Sequence, residues 1–396
     1  MTDETAYAGI RVLDFTQGIA GPHGAMLLAQ HGADVIKIEP RDGDWGRTLG
    51  RIIGDNCAHS VAFNRGKRSI AVDLKNPDAQ AVMKKQAAVC DVIVEAFRPG
   101  VMKKFGLSYE DVKAVNPDVI YLSVTGFGQE GPYKDLPVTD AVIQAHSGLM
   151  TVNKDSQGLP NRLNMLPIDV VTGVYAFQGL AAALMRKFRY GGGCYIDNSL
   201  MQSAAAFQAA KLKEYYFENG PAPVLYSPVG TVPTADGHIN ISAMREKHYV
   251  MMCDVLGRPE LATDPRFDNR DKRVARDDEL MPIIREEFAK KTTAHWAKAL
   301  TEAGVMNAEI QDHGAFMADG HTKAVDAVAY VDHGDMGTVP MPQIPGLPPI
   351  DAAGPLAYAP HIGEHTEKIL GEWGYDVAAI AGFIASGAFS SGETEA

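Results

Sequence analysis

Cysteine is scarce. Four occur in 396 residues, at positions 57, 90, 194 and 253, and no two are spaced as CxxC. That spacing excludes a zinc knuckle and a disulfide framework, and a reducing cytoplasm is the expected compartment. Positive charge is also short, with 37 Lys and Arg against 49 Asp and Glu and a formal net charge of −12. Such a balance argues against general binding to nucleic acid or to an anionic membrane, but leaves room for a local basic pocket. The opening Met1-Thr-Asp-Glu-Thr is acidic with no apolar core, so no secretory signal is expected. Nor does any apolar run approach the ~18 residues that span a bilayer. What is present is a hydrophobic fraction of 46%, which rules out wholesale disorder. The length, at roughly 150 residues per domain, predicts two domains or three.

Short apolar segments alternate with helical ones from the N-terminus as far as Thr125. Strands are expected at 10–15, 34–38, 69–74, 91–97 and 119–125. Helices are expected at 25–30, 77–90 and 108–115, the first entered through a turn holding Gly18, Gly21 and Pro22. This alternation predicts βαβ units and a mostly parallel sheet. The best-patterned helix is 167–187, where Val170, Val174, Phe177, Ala181 and Leu184 mark one face and Pro167 suits the first turn. A strand at 194–198 and a helix at 200–217 follow, stopped by Asn219-Gly220.

After Pro221 the character changes. Segments 231–235 and 238–242 flank Asp236-Gly237, a hairpin signal, and helices at 245–256, 278–290 and 293–303 follow. Seven prolines between 340 and 360 predict an extended connection, and a helical segment at 364–386 closes the chain. The expected organisation is a large α/β domain over 1–220 and a smaller α+β domain over 221–335. Residues 336–396 then return to complete the large domain.

Four features bear on chemistry. Gly126-Phe-Gly-Gln-Glu-Gly131 fits GxGxxG, but loop-like Pro132-Tyr-Lys-Asp-Leu-Pro137 follows where a dinucleotide site needs a helix start; a glycine-rich turn is the better reading. His361-Ile-Gly-Glu-His365 fits an inverted zinc-peptidase pattern, yet Gly363 and Pro360 favour a helix start, so no metal is expected. Arg65, Lys67 and Arg68 crowd one short segment of an acidic chain, either as a solvated, salt-bridged loop or as a phosphate-facing one; Lys75, Arg98, Lys103 and Lys104 lie at the ends of neighbouring elements. Asp169 opens the 167–187 helix. Its neighbours Thr172, Gly173 and Ala176 are small, so that face is expected to admit a ligand, and the helix N-terminus is expected to keep the carboxylate ionised at neutral pH. An ionised, sheltered carboxylate acts as a nucleophile or a base.

Several segments, in order along nearly the whole chain, resemble the class III CoA-transferases, the formyl-CoA and carnitine CoA-transferase family. They include Val12-Leu-Asp-Phe with Ala20-Gly-Pro22, Gly32-Ala-Asp-Val-Ile-Lys-Ile-Glu39, Asn64-Arg-Gly-Lys-Arg-Ser69, Asp91-Val-Ile-Val-Glu95 and Ser123-Val-Thr-Gly-Phe-Gly128. Further on come Gln144-Ala-His-Ser-Gly148, Tyr195-Ile-Asp-Asn-Ser199 and Gly363-Glu-His-Thr366. The resemblance implies a Rossmann-like large domain, a small domain and two subunits interlocked as rings. It places the nucleophile on Asp169 and the CoA contacts on Gln17, Gly18, Ile19, Ala20, Arg41, Val72, Lys75, Phe97, Arg98 and Lys104. It implies transfer of CoA from an acyl-CoA donor to a small free carboxylic acid through an aspartyl-CoA thioester. CoA is then a substrate rather than a resident cofactor, and the partner is a second copy or a related subunit. Ile19 stands where the formyl-CoA enzymes carry an active-site glutamine, and Tyr226-Ser-Pro-Val-Gly230 stands where they carry a glycine-rich flap, which speaks against formate or oxalate chemistry.

Two alternatives remain. The α-methylacyl-CoA racemases share the fold, but their second acid/base group would fall on Thr139, and threonine is no base near neutral pH. The other is a non-catalytic CoA-binding subunit of a heteromeric transferase.

Overall fold

The computed structural model describes residues 5–155 and 157–392. The chain divides into two compact units, residues up to Ala209 together with those from Asp326 onward, and Ala210–Val325. Both divisions fall earlier than the expected 220/221 and 335/336. The Ala209–Glu218 helix, at the first division, buries none of its side chains.

The first unit is a seven-stranded sheet in the order Phe389–Ser390, Arg68–Val72, Asp34–Glu39, Arg11–Phe15, Val92–Glu95, Ile120–Thr125, Cys194–Ser199. All neighbours run parallel except Phe389–Ser390, which is antiparallel on Arg68–Val72. Alternation along the strands feeds two cores. Val12, Val35, Val92, Val94 and Leu122 pack on one face with helices Ala20–Gln30 and Pro167–Tyr190. Leu13, Phe15, Ile36, Ile38 and Ile93 pack on the other with Pro77–Ala87 and Thr366–Glu372. The strand order reverses direction between Arg11–Phe15 and Val92–Glu95, and Phe15 lies in register with Glu95. In open α/β sheets such a reversal leaves a crevice beyond the carboxyl ends of the strands, where ligands bind.

The 167–190 helix corrects its expected face. Ile168, Thr172, Gly173, Ala176, Leu180, Ala183 and Leu184 are buried, whereas Val174 is 45% exposed. The reason is the close approach of the Ala20–Gln30 helix. A Cβ on Gly24 would sit 2.8 Å from that of Ala176, and one on Gly173 would lie 2.6 Å from the His23 ring. Small residues there admit a helix, not a ligand. The same helix is long and apolar enough, by length and composition, to cross a membrane, although the reading of apolar runs did not single it out. Its small residues dilute the run, and one face is packed in the unit's core.

In the basic segment at 65–68, Lys67 and Arg68 are held by carboxylates of the fold. Lys67 is buried and donates to Asp14 Oδ2 (2.7 Å), Pro22 O (2.8 Å) and Asn64 Oδ1 (2.9 Å). Arg68 pairs with Asp34 and Glu372. Arg65 is buried and donates to the Pro342 carbonyl (3.0 Å). The proline-rich stretch is not wholly extended connection. Its first residues belong to the strand Thr338–Pro342, paired antiparallel with Val328–Asp332, a two-stranded ribbon in which every strand is an edge and tolerates proline. The closing helical segment is two helices, Thr366–Glu372 and Val377–Ala385, with Gly374 at φ +88° between them.

The second unit carries a three-stranded antiparallel sheet, Val229–Pro233, His238–Ser242 and Met306–Glu309. The first two strands form the expected hairpin, closed by Thr234 N–H donating to Gly237 O. Helices Glu246–Leu256, Asp277–Phe288 and Thr293–Glu302 close a core centred on Phe267, Phe288 and Trp296.

Candidate active site

A cavity of about 540 Å³ lies at the strand-order reversal. Asp169 faces it together with Gln17, Ile19, Ala20, Phe97 and Arg98, so six of the residues singled out by sequence converge.

The turn after Phe15 is held from below. Gly18 has φ +78°, and a Cβ there would come within 2.2 Å of the Trp45 indole, so only glycine fits. Its N–H donates to Asp44 Oδ1 (2.8 Å), which also takes the Gly46 N–H (2.8 Å), while Asp44 Oδ2 accepts from Lys37 Nζ (2.8 Å). The Gly18 N–H is therefore unavailable to a reacting oxygen. The N–H groups of Ala20 and Gly21 lie in the first turn of their helix, where no acceptor exists within the helix, and both residues line the cavity.

Asp169 occupies the first turn of the Pro167–Tyr190 helix, but the expected electrostatics are reversed. The N–H groups of Ile168 and Asp169 both donate to Asp140 Oδ2 (2.7 and 3.0 Å). Asp140 is fully buried, and Gln144, one turn along the same Asp140–His146 helix, donates to its Oδ1 (2.5 Å). A second carboxylate thus consumes the donors that would have steadied Asp169. Burial first, and the Asp140 charge second, push the Asp169 carboxyl up to about 7. Asp140 was missed by sequence because the N–H groups it caps belong to a different helix further along the chain, and no spacing rule connects the two. His23 donates from Nδ1 to the Val170 carbonyl (3.0 Å), and burial holds its ring down to about 4, hence neutral.

The second wall is the loop after Val92–Glu95. Glu95 is buried; one carboxyl oxygen accepts the Phe97 N–H (2.9 Å) and the other the Ser123 hydroxyl. Burial raises its carboxyl to about 7, with a smaller push from Asp197. This group holds the Phe97–Arg98 backbone in place.

The remaining expected contacts lie outside the cavity lining. Arg41, Lys75 and Lys104 are exposed. Val72 is 3% exposed, packs in the core and pairs with Phe389, so only its backbone is open to a ligand contact. Its strand is covered by a segment from the far C-terminal part of the chain, which no local pattern shows. Thr139 lines the cavity, and no histidine does among the described residues. His361 contacts Asp55, and its backbone N–H donates to Glu364 Oε2 (2.8 Å); among the described residues no group of three or more His, Cys, Asp or Glu could hold a metal ion. Gly126–Gly131 is loop, as read.

A mostly parallel sheet with a cavity at its reversal point, lined by a buried carboxyl and a glycine turn, defines an α/β protein with a ligand site at its switch point. The profile of CoA-transferase family III matches residues 7–366, and the chain belongs to that family. It is 33% identical to succinyl-CoA:glutarate CoA-transferase of Homo sapiens, over 98% of this chain and 90% of that one. It is 34% identical to succinate–glutarate CoA-transferase of Agrobacterium fabrum, over 92% and 95%. A CAIB/BAIF family protein from Brucella suis superposes with a TM-score of 0.82 at 30% identity, covering 93% of this chain and 100% of that one. The protein is an enzyme that moves CoA from an acyl-CoA donor to a free carboxylic acid.

Proposed function

We propose that Asp169 is the nucleophile of this transfer. Its carboxylate attacks the thioester carbonyl; the C–S bond breaks, leaving an acyl–aspartyl anhydride and CoA thiolate. The thiolate attacks the Asp169 carbonyl, releasing the donor acid as its carboxylate and forming an aspartyl-CoA thioester. The acceptor carboxylate then attacks Asp169, expels the thiolate, and receives CoA as the thiolate attacks the acceptor carbonyl and frees Asp169. Anhydride and thioester are similarly activated, so the exchange needs no external energy source. The single observation that carries this reading is the Asp169 carboxyl facing the cavity with its pKa raised to about 7. At neutral pH about half of it is ionised, and it is more basic than a solvated carboxylate. The Ala20 and Gly21 N–H groups are the candidate oxyanion donors. Gln17, Ile19, Ala20, Phe97 and Arg98 form the near part of the CoA cradle, and the exposed cations Arg41, Lys75 and Lys104 serve its phosphates.

An interlocked homodimer is part of the same reading. It is supported by large apolar side chains left in water, Phe188 and Tyr190 in the first unit and Tyr216 and Phe217 in the second. Four free thiols, three of them buried, fit a reducing cytoplasm.

The test is intact-protein mass spectrometry after mixing with acyl-CoA donors, succinyl-CoA first, followed by quenching and peptide mapping. A CoA adduct, or its hydroxylamine-trapped equivalent, is expected on the peptide holding Asp169. Asp169→Ala is expected to lose the adduct and turnover while still binding CoA. Substantial transfer by that variant, or α-proton exchange of a 2-methylacyl-CoA without any adduct, would overturn the assignment.

A further inference from the structure

The acceptor acid must bring its own negative charge into a cavity that already holds Asp169 and, behind it, Asp140. In a partly desolvated site that approach is costly unless a cation offsets it. The cavity supplies three cations: Arg98, in the loop assigned to CoA, and Lys134 and Arg162, which no CoA contact claims. Among the described residues neither Lys134 nor Arg162 has a carboxylate within ion-pair distance, and the Arg162 guanidinium contacts only Asn164 Oδ1 (3.2 Å).

Arg162 is also fixed relative to Asp169. The neighbouring Leu163 N–H donates to Gln144 Oε1 (2.9 Å), and Gln144 donates in turn to Asp140, which holds the Ile168 and Asp169 N–H groups. One helical turn, Asp140 to Gln144, therefore clamps both ends of the 163–169 segment. The backbone that carries Arg162 and the backbone of Asp169 thus share one frame, while the side chain of Arg162 is itself exposed and able to swing to a ligand. Leu136, Val138 and Leu166 give the same cavity apolar wall.

We propose that Arg162, assisted by Lys134, is a specificity-determining residue that makes the acid substrate a short aliphatic dicarboxylate: one carboxylate reacts at Asp169 and the other is held by the guanidinium fork. A guanidinium pairs two N–H groups with two carboxylate oxygens, and the methylenes between lie on the apolar wall. A monocarboxylate of equal length would leave the cations unmatched. This inference rests on the CoA-transfer reading above.

The test compares acceptors of one chain length, glutarate and pentanoate, with succinyl-CoA as donor, in the wild type and in Arg162→Met, Arg162→Lys and Lys134→Met. The wild type is expected to prefer glutarate. Arg162→Met is expected to lower the glutarate-to-pentanoate ratio of kcat/KM by roughly 10- to 100-fold, mostly through the KM for glutarate, with part of the ratio restored in Arg162→Lys. Lys134→Met is expected to lower it less. Equal use of both acids by the wild type, or equal losses for both in Arg162→Met, would overturn the inference. The Asp169 adduct is read on the same samples. An adduct without a dicarboxylate preference sinks this proposal alone; no adduct from any donor sinks the transfer reading on which it rests.

Discussion

Replacing Asp140 by Asn tests the electrostatics of the site with the smallest change in shape. Asparagine keeps a side-chain oxygen for the Ile168 and Asp169 N–H groups but removes a buried negative charge beside the nucleophile. Because Asp140 touches the Asp169 backbone, the two carboxyl groups lie on the order of 6 Å apart. At an effective dielectric of about 20 such a pair interacts by roughly 3 kcal/mol, or about 2 pH units, and partial solvent access reduces this to about 1. In the proposed mechanism Asp169 reacts as the carboxylate, so kcat/KM is expected to rise with pH through its pKa, about 7 in the wild type. In Asp140→Asn the half-maximum of that acid limb is expected to move down by about 1 unit. The assay is kcat/KM for succinyl-CoA between pH 5 and 9, with the thermal transition followed in the same buffers to show that the variant is folded. A folded, active variant whose acid limb stays within about 0.3 unit of the wild type would refute the claim that Asp140 tunes Asp169.

Glu95→Gln is expected to stabilise the protein in alkali and not in acid. The folded pKa of Glu95 is raised to about 7 against about 4.3 unfolded, so the native state holds the extra proton and wild-type stability falls as pH rises between those values. The variant should gain on the order of 2–3 kcal/mol at pH 8, shrinking towards zero near pH 4; a pH-independent difference in urea unfolding would contradict it. Lys67→Met leaves the buried Asp14 carboxylate without its 2.7 Å partner and is expected to cost about 3–5 kcal/mol at pH 7; a loss below about 1 kcal/mol would show that the pair does not matter. Gly173→Ala inserts a methyl 2.6 Å from the His23 ring and is expected to cost about 1–3 kcal/mol while lowering kcat, because the helix carrying Asp169 must shift; unchanged stability and kcat would refute the tight-packing account.

What was legible in the sequence is what local pattern encodes. The apolar strands from Arg11–Phe15 to Ile120–Thr125, their parallel pairing and the helix at 167–190 follow from periodicity and from proline and glycine placement. Gln17, Ile19, Ala20 and Phe97, which only the family resemblance singles out, converge with Arg98 and Asp169 because a switch point gathers strand ends that are distant in sequence. What failed depends on partners far along the chain. The face of the 167–190 helix is chosen by Gly24 and His23, which belong to the first helix of the chain. The choice between a salt-bridged and a phosphate-facing loop at Lys67 and Arg68 is decided by Asp14, Asp34 and Glu372, none of them neighbours in sequence.

On the proposed mechanism, the placement of Asp140 resolves a conflict built into covalent carboxylate catalysis. Mixed anhydrides hydrolyse, so the site must exclude water, and excluding water drives a carboxyl to its unreactive protonated form. A bare helix N-terminus would counter that drift, but by lowering the basicity of the carboxylate it would also weaken the nucleophile. Here the helix donors at Ile168 and Asp169 are spent on a second, fully buried carboxylate. Asp169 is left basic, near the point of ionisation, with the free first-turn donors of the facing Ala20–Gln30 helix positioned for the charge that forms on the substrate instead. In that proposal the two helix ends divide the work: one is capped so that the nucleophile stays reactive, the other is open so that the oxyanion can be received.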